Sequence, residues 1–419
     1  MSLSNITLSS SVRQNLLSLQ DTANLLSTTQ TRLATGKKVN SALDNPTNFF
    51  TASGLDARAS DIGNLLDSIG NGVQVLQAAN TGITSLSKLV DTAKSIANQA
   101  LQQPSGYSTK ANLEFTGAAT GQTTTASASN LNQGALTGSV FTFTNSAGTA
   151  ATITVGATAV AYNATAKTAT VKSLDDLNQA LSAAGVNLTA SISGTDKLTF
   201  TSTNDGASQI ITGTTAAATA VAANTINISA NAAGGGAGGT VVAAVADTVS
   251  QTARSSLVAQ YNQIIQQITT TAQDASFNGV NLLNGDTLKL VFNETGKSTS
   301  TITGVTFDPN GLGLKSLTNG TDFIDNAATN SVLTALNTAS TTLRSQASAF
   351  GANLSIVQIR QDFSKNLINV LQTGSSNLTL ADSNEEAANS QALSTRQSIA
   401  VSALALANQS NQSVLQLLR

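Results

Sequence analysis

The 419-residue chain contains no cysteine, no histidine and no tryptophan, and it has only three prolines. Without cysteine there is no disulfide framework, no thiolate metal site and no cysteine nucleophile. Without histidine there is no Ser-His-Asp triad and no HExxH zinc site. We therefore expect a protein that is not an enzyme and that carries no cofactor and no metal.

Charge is also scarce. Charged residues make up 10% of the chain, against about 25% in typical domains, and the net charge is −2. The absence of a basic cluster argues against nucleic-acid binding, which requires neutralisation of phosphates. The sequence contains no run of about 18 apolar residues, so we expect no membrane insertion. The first residues lack a basic stretch followed by an apolar run, so we expect no cleavable signal peptide. This composition suits an extracellular protein exported by another route.

Hydrophobic residues make up 40% of the chain, which is enough for real cores, and the length predicts two to four domains. The N-terminal segment has apolar residues at alternating intervals of four and three, which is the pattern of a coiled-coil seam. Gly36 ends this pattern, as expected after a helix. A matching ladder at the C-terminus carries a similarly narrow stripe. The predicted seam positions are Val12, Leu16, Leu19, Ala23, Leu26, Leu33, Leu393, Ala400, Ala407, Val414 and Leu418.

Further helical ladders lie inside these ends. In one of them, apolar residues recur every seven positions up to about Leu101, and such a period favours helices that supercoil around one another. A shorter stripe and a third long ladder follow in the second half of the chain. The predicted packing positions are Leu55, Ile62, Ile69, Leu76, Ile83, Val90, Leu257, Ile264, Leu336, Leu343, Phe350 and Val357. These residues could pack within one molecule or between molecules.

Residues 105–247 differ in kind, being rich in Thr, Ala, Gly and Asn. Short alternating runs, such as those at 139–144, 151–155 and 197–202, predict β-strands. One helix is expected from Leu174 to Ala184, with acidic residues at its start. The predicted fold class is α+β: long coiled-coil-like terminal helices forming a helical rod, with a β-rich domain inserted in the middle. Isolated amphipathic helices are marginal in water, so the two ends are expected to be association surfaces.

Four segments carry a family resemblance. The segments 31–45, 68–80 and 276–285 resemble, in order, the N-terminal signature, the following helix and the "FNGxxLL(D/N)G" turn of bacterial flagellins. The last fifteen residues are similar to the flagellin terminus "AxANQxPQxVLxLLR". Residues 172–185 with 198–202 resemble a small module found in flagellins and hook-associated proteins. The chain is therefore identified as resembling flagellin, the structural subunit of the bacterial flagellar filament.

The resemblance implies a domain map, an extracellular filament and a set of partners. The partners are further copies of the chain in a helical homopolymer, the flagellar export apparatus with a chaperone, a filament cap protein, hook-associated junction proteins, and O-linked glycans. The implied domains are inner-core helices 1–42 and 380–419, rod helices 43–104, 248–275 and 326–379, a β-hairpin region 276–325, and a variable outer domain 105–247.

Two features depart from the common flagellin pattern. The outer domain is inserted before the second rod helix, whereas many flagellins place theirs after the "FNG" turn. Thr92 stands where many flagellins carry an arginine that contacts the vertebrate flagellin receptor, so we expect weak or no receptor activation.

Two alternatives to a filament subunit remain at this point. A hook-associated junction protein shares the terminal helices. An extracellular adhesin would use residues 105–247 to bind surface glycans.

Overall fold

The computed structural model describes residues 10–116, 126–193, 197–214, 218, 221–231 and 239–417. The described chain is mixed α+β, with helical regions at both ends and a β-rich middle, so the predicted class is confirmed. The helices are α1 (Ser10–Thr35), α2 (Pro46–Gln102), α3 (Leu174–Ala183), α4 (Thr248–Asp274), α5 (Asn326–Thr379) and α6 (Ser383–Leu417).

Two compact units divide the chain. The first comprises residues 1–74, 288–302 and 353–419, and the second comprises residues 75–287 and 303–352. In the first unit, α2 packs against α5 through a buried cluster. The members of that cluster are Ala59, Ile62 and Leu371, with Leu55, Leu367 and Ile368 half-buried around them. A hairpin of β13 (Thr287–Val291) and β14 (Thr299–Thr303) joins this unit, where Glu294 pairs with Arg58 at 2.9 Å.

The boundaries of α1 and α2 follow from local chemistry. Gly36 follows α1 with a φ of +68°, a conformation that favours glycine at a helix end. The Asn45 side chain accepts the Asn48 amide at 3.0 Å, so Asn45 caps α2 and Pro46 occupies its first turn. The Asp44 carboxylate instead accepts the amides of Asn40 and Ser41. These bonds hold the pKa of Asp44 below its usual value.

The β-rich middle belongs to the second unit. Its six-stranded sheet has the order β5-β6-β4-β3-β10-β9, and its four-stranded sheet has the order β11-β2-β8-β7, while β1 pairs with β12. The strands are β1 (Tyr107–Thr109), β2 (Asn112–Thr116), β3 (Val140–Asn145), β4 (Gly148–Val155), β5 (Val160–Asn163), β6 (Thr168–Val171), β7 (Leu188–Ser193), β8 (Lys197–Ser202), β9 (Ile210–Thr214), β10 (Thr225–Asn231), β11 (Thr240–Val242) and β12 (Val245–Ala246).

One apolar core fills this β-rich region. Alternate residues of the strands point into it, as the two-residue period of a strand requires. Four phenylalanines, Phe115, Phe141, Phe143 and Phe200, meet there edge to face. The helix α3 contributes Leu177 and Leu181 to the same core. Its start is fixed by a capping box between Ser173 and Asp176.

The turn after α4 shows what the "FNG" segment does. Phe277 and Val280 exchange backbone hydrogen bonds around Asn278 and Gly279, and both turn residues have positive φ. The next residue, Asn281, is 6% exposed, and its side-chain amide donates to the carbonyls of Ala272 and Gln273. The motif therefore reverses the chain and caps the end of α4.

Candidate assembly surface

The two terminal helices α1 and α6 pack along each other in the first unit. On α6, covered side chains recur at intervals of four and three residues, which is the spacing of one coiled-coil seam. The members of this row are Glu386, Ser390, Leu393, Gln397, Ala400, Leu404 and Ala407. Three of these positions, Leu393, Ala400 and Ala407, belong to the sequence-derived seam.

On α1 the covered row alternates apolar and polar residues. It consists of Val12, Asn15, Leu19, Thr22, Leu26 and Thr29. Val12, Leu19 and Leu26 belong to the sequence-derived seam, and Ala23 is half-buried beside them. Leu16 and Leu33 are exposed by 37% and 43%. The row of α1 that is covered is therefore partly polar, while Leu16 and Leu33 beside this row remain exposed to solvent.

A small group of contacts joins the end of α1 to the start of α6. Arg32 and Glu386 form an ion pair at 3.3 Å, with Glu386 7% exposed. The amide of Lys38 donates to the Thr379 carbonyl at 2.7 Å, and the amide of Ala381 donates to the Gly36 carbonyl at 3.0 Å. The segment after α1 is thus held beside the segment before α6.

Several apolar side chains of the first unit remain exposed. On α5 they follow intervals of three, four and seven residues, so they form a single stripe along one face. We call this stripe, Ile356, Ile359, Phe363 and Val370, the α5 stripe. The terminal helices add Leu16, Leu17, Leu25, Leu33, Ile399, Val401 and Leu406. Large exposed apolar side chains that lie along one helix face, as in the α5 stripe, are typical of interaction sites.

The other sequence-derived positions lie as follows. Of the expected packing residues, Leu55 and Ile264 are half-buried, and the rest are buried, namely Ile62, Ile69, Leu76, Ile83, Val90, Leu257, Leu336, Leu343, Phe350 and Val357. Val414 lies on α6, and Leu418 lies outside the described residues. Thr92 is exposed on α2, where its hydroxyl donates to the Lys88 carbonyl.

One residue that the sequence did not single out organises the second unit. Arg254 on α4 is 2% exposed. Its guanidinium donates to the carbonyls of Phe323, Pro104 and Gln103 at 2.7, 3.2 and 3.2 Å. Burial lowers the pKa of Arg254, and the nearby Asp325 carboxylate opposes that shift. Arg254 thereby ties α4 to the end of α2 and to the segment that precedes α5.

The acidic residues hold backbone groups. Asp176 accepts the amide of Ser173, and Asp247 accepts the amide of Ser250. Hydrogen bonds lower the pKa of both carboxyls: the Ser173 backbone bond is the main cause for Asp176, and the Ser250 hydroxyl is the main cause for Asp247. Within the described residues there is no group of three or more acidic side chains that could hold a metal ion. Likewise, no described helix is long and apolar enough to cross a membrane.

The matches to known protein families cover the N-terminal and C-terminal helical regions. Residues 4–116 match the bacterial flagellin N-terminal helical region, and residues 333–418 match the bacterial flagellin C-terminal helical region. Flagellin FljM of Caulobacter vibrioides is 35% identical over 179 residues, which is 42% of this chain and 64% of the relative.

Two further relatives give a similar result. Flagellin FljO of Caulobacter vibrioides is 34% identical over the same shares of both chains. A flagellin of Brucella melitensis is 29% identical over 40% of this chain and 62% of its own length. The chain thus spans somewhat less than two thirds of the length of the curated relatives it matches.

Proposed function

Because the chain belongs to the bacterial flagellin family, we propose that it is a structural subunit that polymerises through its terminal helices into the extracellular filament of the bacterial flagellum. The observation that carries this proposal is the terminal helix pair with its apolar side chains still in solvent. A pair of helices that leaves Leu17 and Leu25 exposed by 60% and 55% buries only part of its apolar surface. Contact with further copies covers the remainder.

The polymer is helical and open. A contact between two different faces of identical subunits repeats without closing and therefore builds a filament. The α5 stripe and the exposed leucines of α1 supply apolar patches on different helices of the first unit. In this proposal the assembly positions are Val12, Leu16, Leu19, Ala23, Leu26 and Leu33 on the N-terminal helix, with Leu393, Ala400, Ala407, Val414 and Leu418 on the C-terminal helix.

The domain map is part of the same proposal. Residues 1–42 and 380–419 form the inner helices of the filament, and residues 43–104, 248–275 and 326–379 form the rod helices. The β-hairpin region is 276–325, and the outer domain is 105–247. The ends of α1 and α2 near residues 35 and 102, and the break between α5 and α6 at 380–382, support these limits.

The finer partners follow from the family. We place the chain with a flagellar export apparatus and chaperone, a filament cap protein and hook-associated junction proteins. Ser and Thr hydroxyls of the outer domain are the proposed sites of O-linked glycans. The absence of cysteine and the low proline content support export in an unfolded state, because neither disulfides nor many slow prolyl bonds would delay refolding.

Seeded polymerisation tests the proposal directly. Full-length protein is mixed with short filament seeds, and growth is followed by light scattering and negative-stain microscopy. We expect filaments of flagellar width from the intact chain and none after removal of residues 385–419. Normal filaments from the truncated chain would sink the assignment of the terminal helices.

A point substitution separates assembly from folding. Phe363 is 59% exposed on the α5 stripe, so Phe363→Ser should leave the circular dichroism of the monomer unchanged. If the stripe lies between subunits, losing one buried aromatic ring raises the critical concentration about tenfold or more. Gln358→Ser, at an exposed polar position on a different face of the same helix, is the matched control. Equal critical concentrations for Phe363→Ser and the control would remove the α5 stripe from the interface.

Thr92 supports a further part of the proposal. We expect the monomer to activate the vertebrate flagellin receptor weakly or not at all, because an exposed threonine replaces the arginine of many flagellins. A receptor-reporter cell line measures this, and Thr92→Arg should raise the response. A strong response to the unaltered monomer would contradict the expectation.

A further inference from the structure

A cavity of about 310 Å³ lies in the second unit beside α4. Its apolar lining includes Leu314, Leu317 and Val332, and its polar lining includes Tyr261, Lys315 and Asp322. The loop that forms one wall is held in place, because Asn262 and Leu317 exchange hydrogen bonds of 2.9 and 2.8 Å between the Asn262 side-chain amide and the Leu317 backbone. The cavity is therefore preformed.

Tyr261 gives this cavity a polar group. Its side chain is 1% exposed, and its ring meets Phe323 edge to face. Burial, with a smaller contribution from Asp322, raises the pKa of Tyr261 to about 12, so the phenol stays protonated and can donate. A ligand in the cavity that carries an acceptor group would receive this hydrogen bond.

The two charged residues of the lining have opposite signs and a loose mutual contact. Lys315 Nζ lies 3.8 Å from Asp322 Oδ1, and the Lys315 side chain is 75% exposed. Asp322 Oδ2 accepts the Thr318 amide at 2.7 Å, which fixes the carboxylate. A ligand with a single charge would be attracted by one of these residues and repelled by the other. A zwitterion satisfies both.

We propose that this cavity binds a free α-amino acid with an apolar body and a polar tip. Its carboxylate would pair with Lys315, its ammonium group with Asp322, and its tip with the Tyr261 hydroxyl. The apolar body would lie among Leu314, Leu317 and Val332. The volume is at the lower end of the range of about 300–1,000 Å³ for ligand pockets, which suits a single amino acid better than a peptide or a sugar chain. This activity goes beyond filament assembly and does not depend on it.

Three compounds test the proposal on the full-length monomer by saturation-transfer NMR. L-Tyrosine carries both charges and the polar tip, L-phenylalanine lacks the tip, and N-acetyl-L-tyrosine amide lacks both charges. We expect saturable binding of tyrosine and affinity for phenylalanine that is lower by about threefold to tenfold, the value of one hydrogen bond. The blocked compound should not bind detectably.

Matched variants locate the site. Tyr261→Phe should reduce tyrosine affinity to the phenylalanine level and leave phenylalanine affinity unchanged, an outcome that a general loss of structure would not give. Lys315→Met should weaken both amino acids, whereas Lys289→Met, at an exposed lysine of the first unit, should weaken neither. Circular dichroism checks the fold of each variant.

Three results would overturn the proposal. The first is the absence of saturable tyrosine binding up to its solubility limit. The second is equal affinity for tyrosine and its blocked form, which would show that the ligand's carboxylate and ammonium groups do not contribute to binding. The third is unchanged tyrosine binding by Tyr261→Phe, which would place any binding elsewhere.

Discussion

Replacing Arg254 by methionine removes the guanidinium at the centre of the second unit and keeps most of the aliphatic stem. The four hydrogen bonds that disappear go to Phe323, Pro104 and Gln103 carbonyls and, at 3.4 Å, to the Asn326 side chain. The Phe323 bond is fully buried, and the other three are only partly buried. The cost of the substitution therefore depends mostly on one carbonyl.

The magnitude can be worked from this geometry. A buried carbonyl that loses its only charged donor costs about 2 kcal/mol, and two carbonyls that water can reach cost about 0.5 kcal/mol each, in line with the range for unsatisfied groups. The sum is about 3 kcal/mol in the free energy of unfolding. For a unit of this size, that corresponds to a fall in Tm of roughly 6–12 °C.

Urea denaturation of the full chain, followed by far-UV circular dichroism, measures the effect. Arg344→Met is the matched control, because Arg344 is exposed and bonds only to Ser340 in the structure described. We expect it to change stability by less than about 0.5 kcal/mol. Hydrogen exchange should locate the loss in Arg254→Met at residues 103–106 and 323–329. If Arg254→Met and the control have the same free energy of unfolding, the buried guanidinium is not what joins these segments.

The remaining predictions concern two glycines and one helix cap. A Cβ on Gly304 would collide with the carbonyl oxygens of Asp286 and Leu282, so Gly304→Ala should destabilise by about 1–3 kcal/mol. Gly351→Ala, where no atom lies within 4 Å, should stabilise α5 by about 0.5–1 kcal/mol; urea denaturation that ranks the two variants the other way would refute both. Ser173→Ala removes half of the α3 capping box and should cost about 1 kcal/mol in thermal unfolding. The folded-state pKa of Asp176 is lowered, so its contribution is present above its unfolded pKa of 3.8 and is lost as the pH falls through the folded value. The Tm of Asp176→Asn should accordingly fall less than that of the wild type between about pH 5 and pH 2, and parallel curves would show that the cap carries no pH-linked stability.

Elements with a strong local signal could be predicted from the sequence. The alternating runs at 151–155 and 197–202 lie within or coincide with β4 and β8. The expected helix from Leu174 is α3, because its start is fixed by neighbouring residues in the capping box. Local chemistry of this kind needs no distant partner.

The side of a helix that meets its partner could not be predicted in the same way. A periodicity argument selects the most apolar row, which on α1 includes Leu16 and Leu33. The covered row instead includes Asn15, Thr22 and Thr29, since the position of α6 decides which face is covered. Arg254 was missed for a related reason. Its main partners are backbone carbonyls of residues far away in the chain. Every residue has such a carbonyl, so the sequence does not show which ones Arg254 will contact.

The pairing of α1 with α6 has a consequence for timing. The N-terminal helix is synthesised first, and its partner follows only after residues 36–382 have been made. At about 5–20 residues per second, α1 waits roughly 20–70 s for α6. A lone helix of this length is marginal in water, so α1 spends the interval as largely unstructured chain with its leucines accessible. The synthesis of α6 therefore decides when α1 can fold.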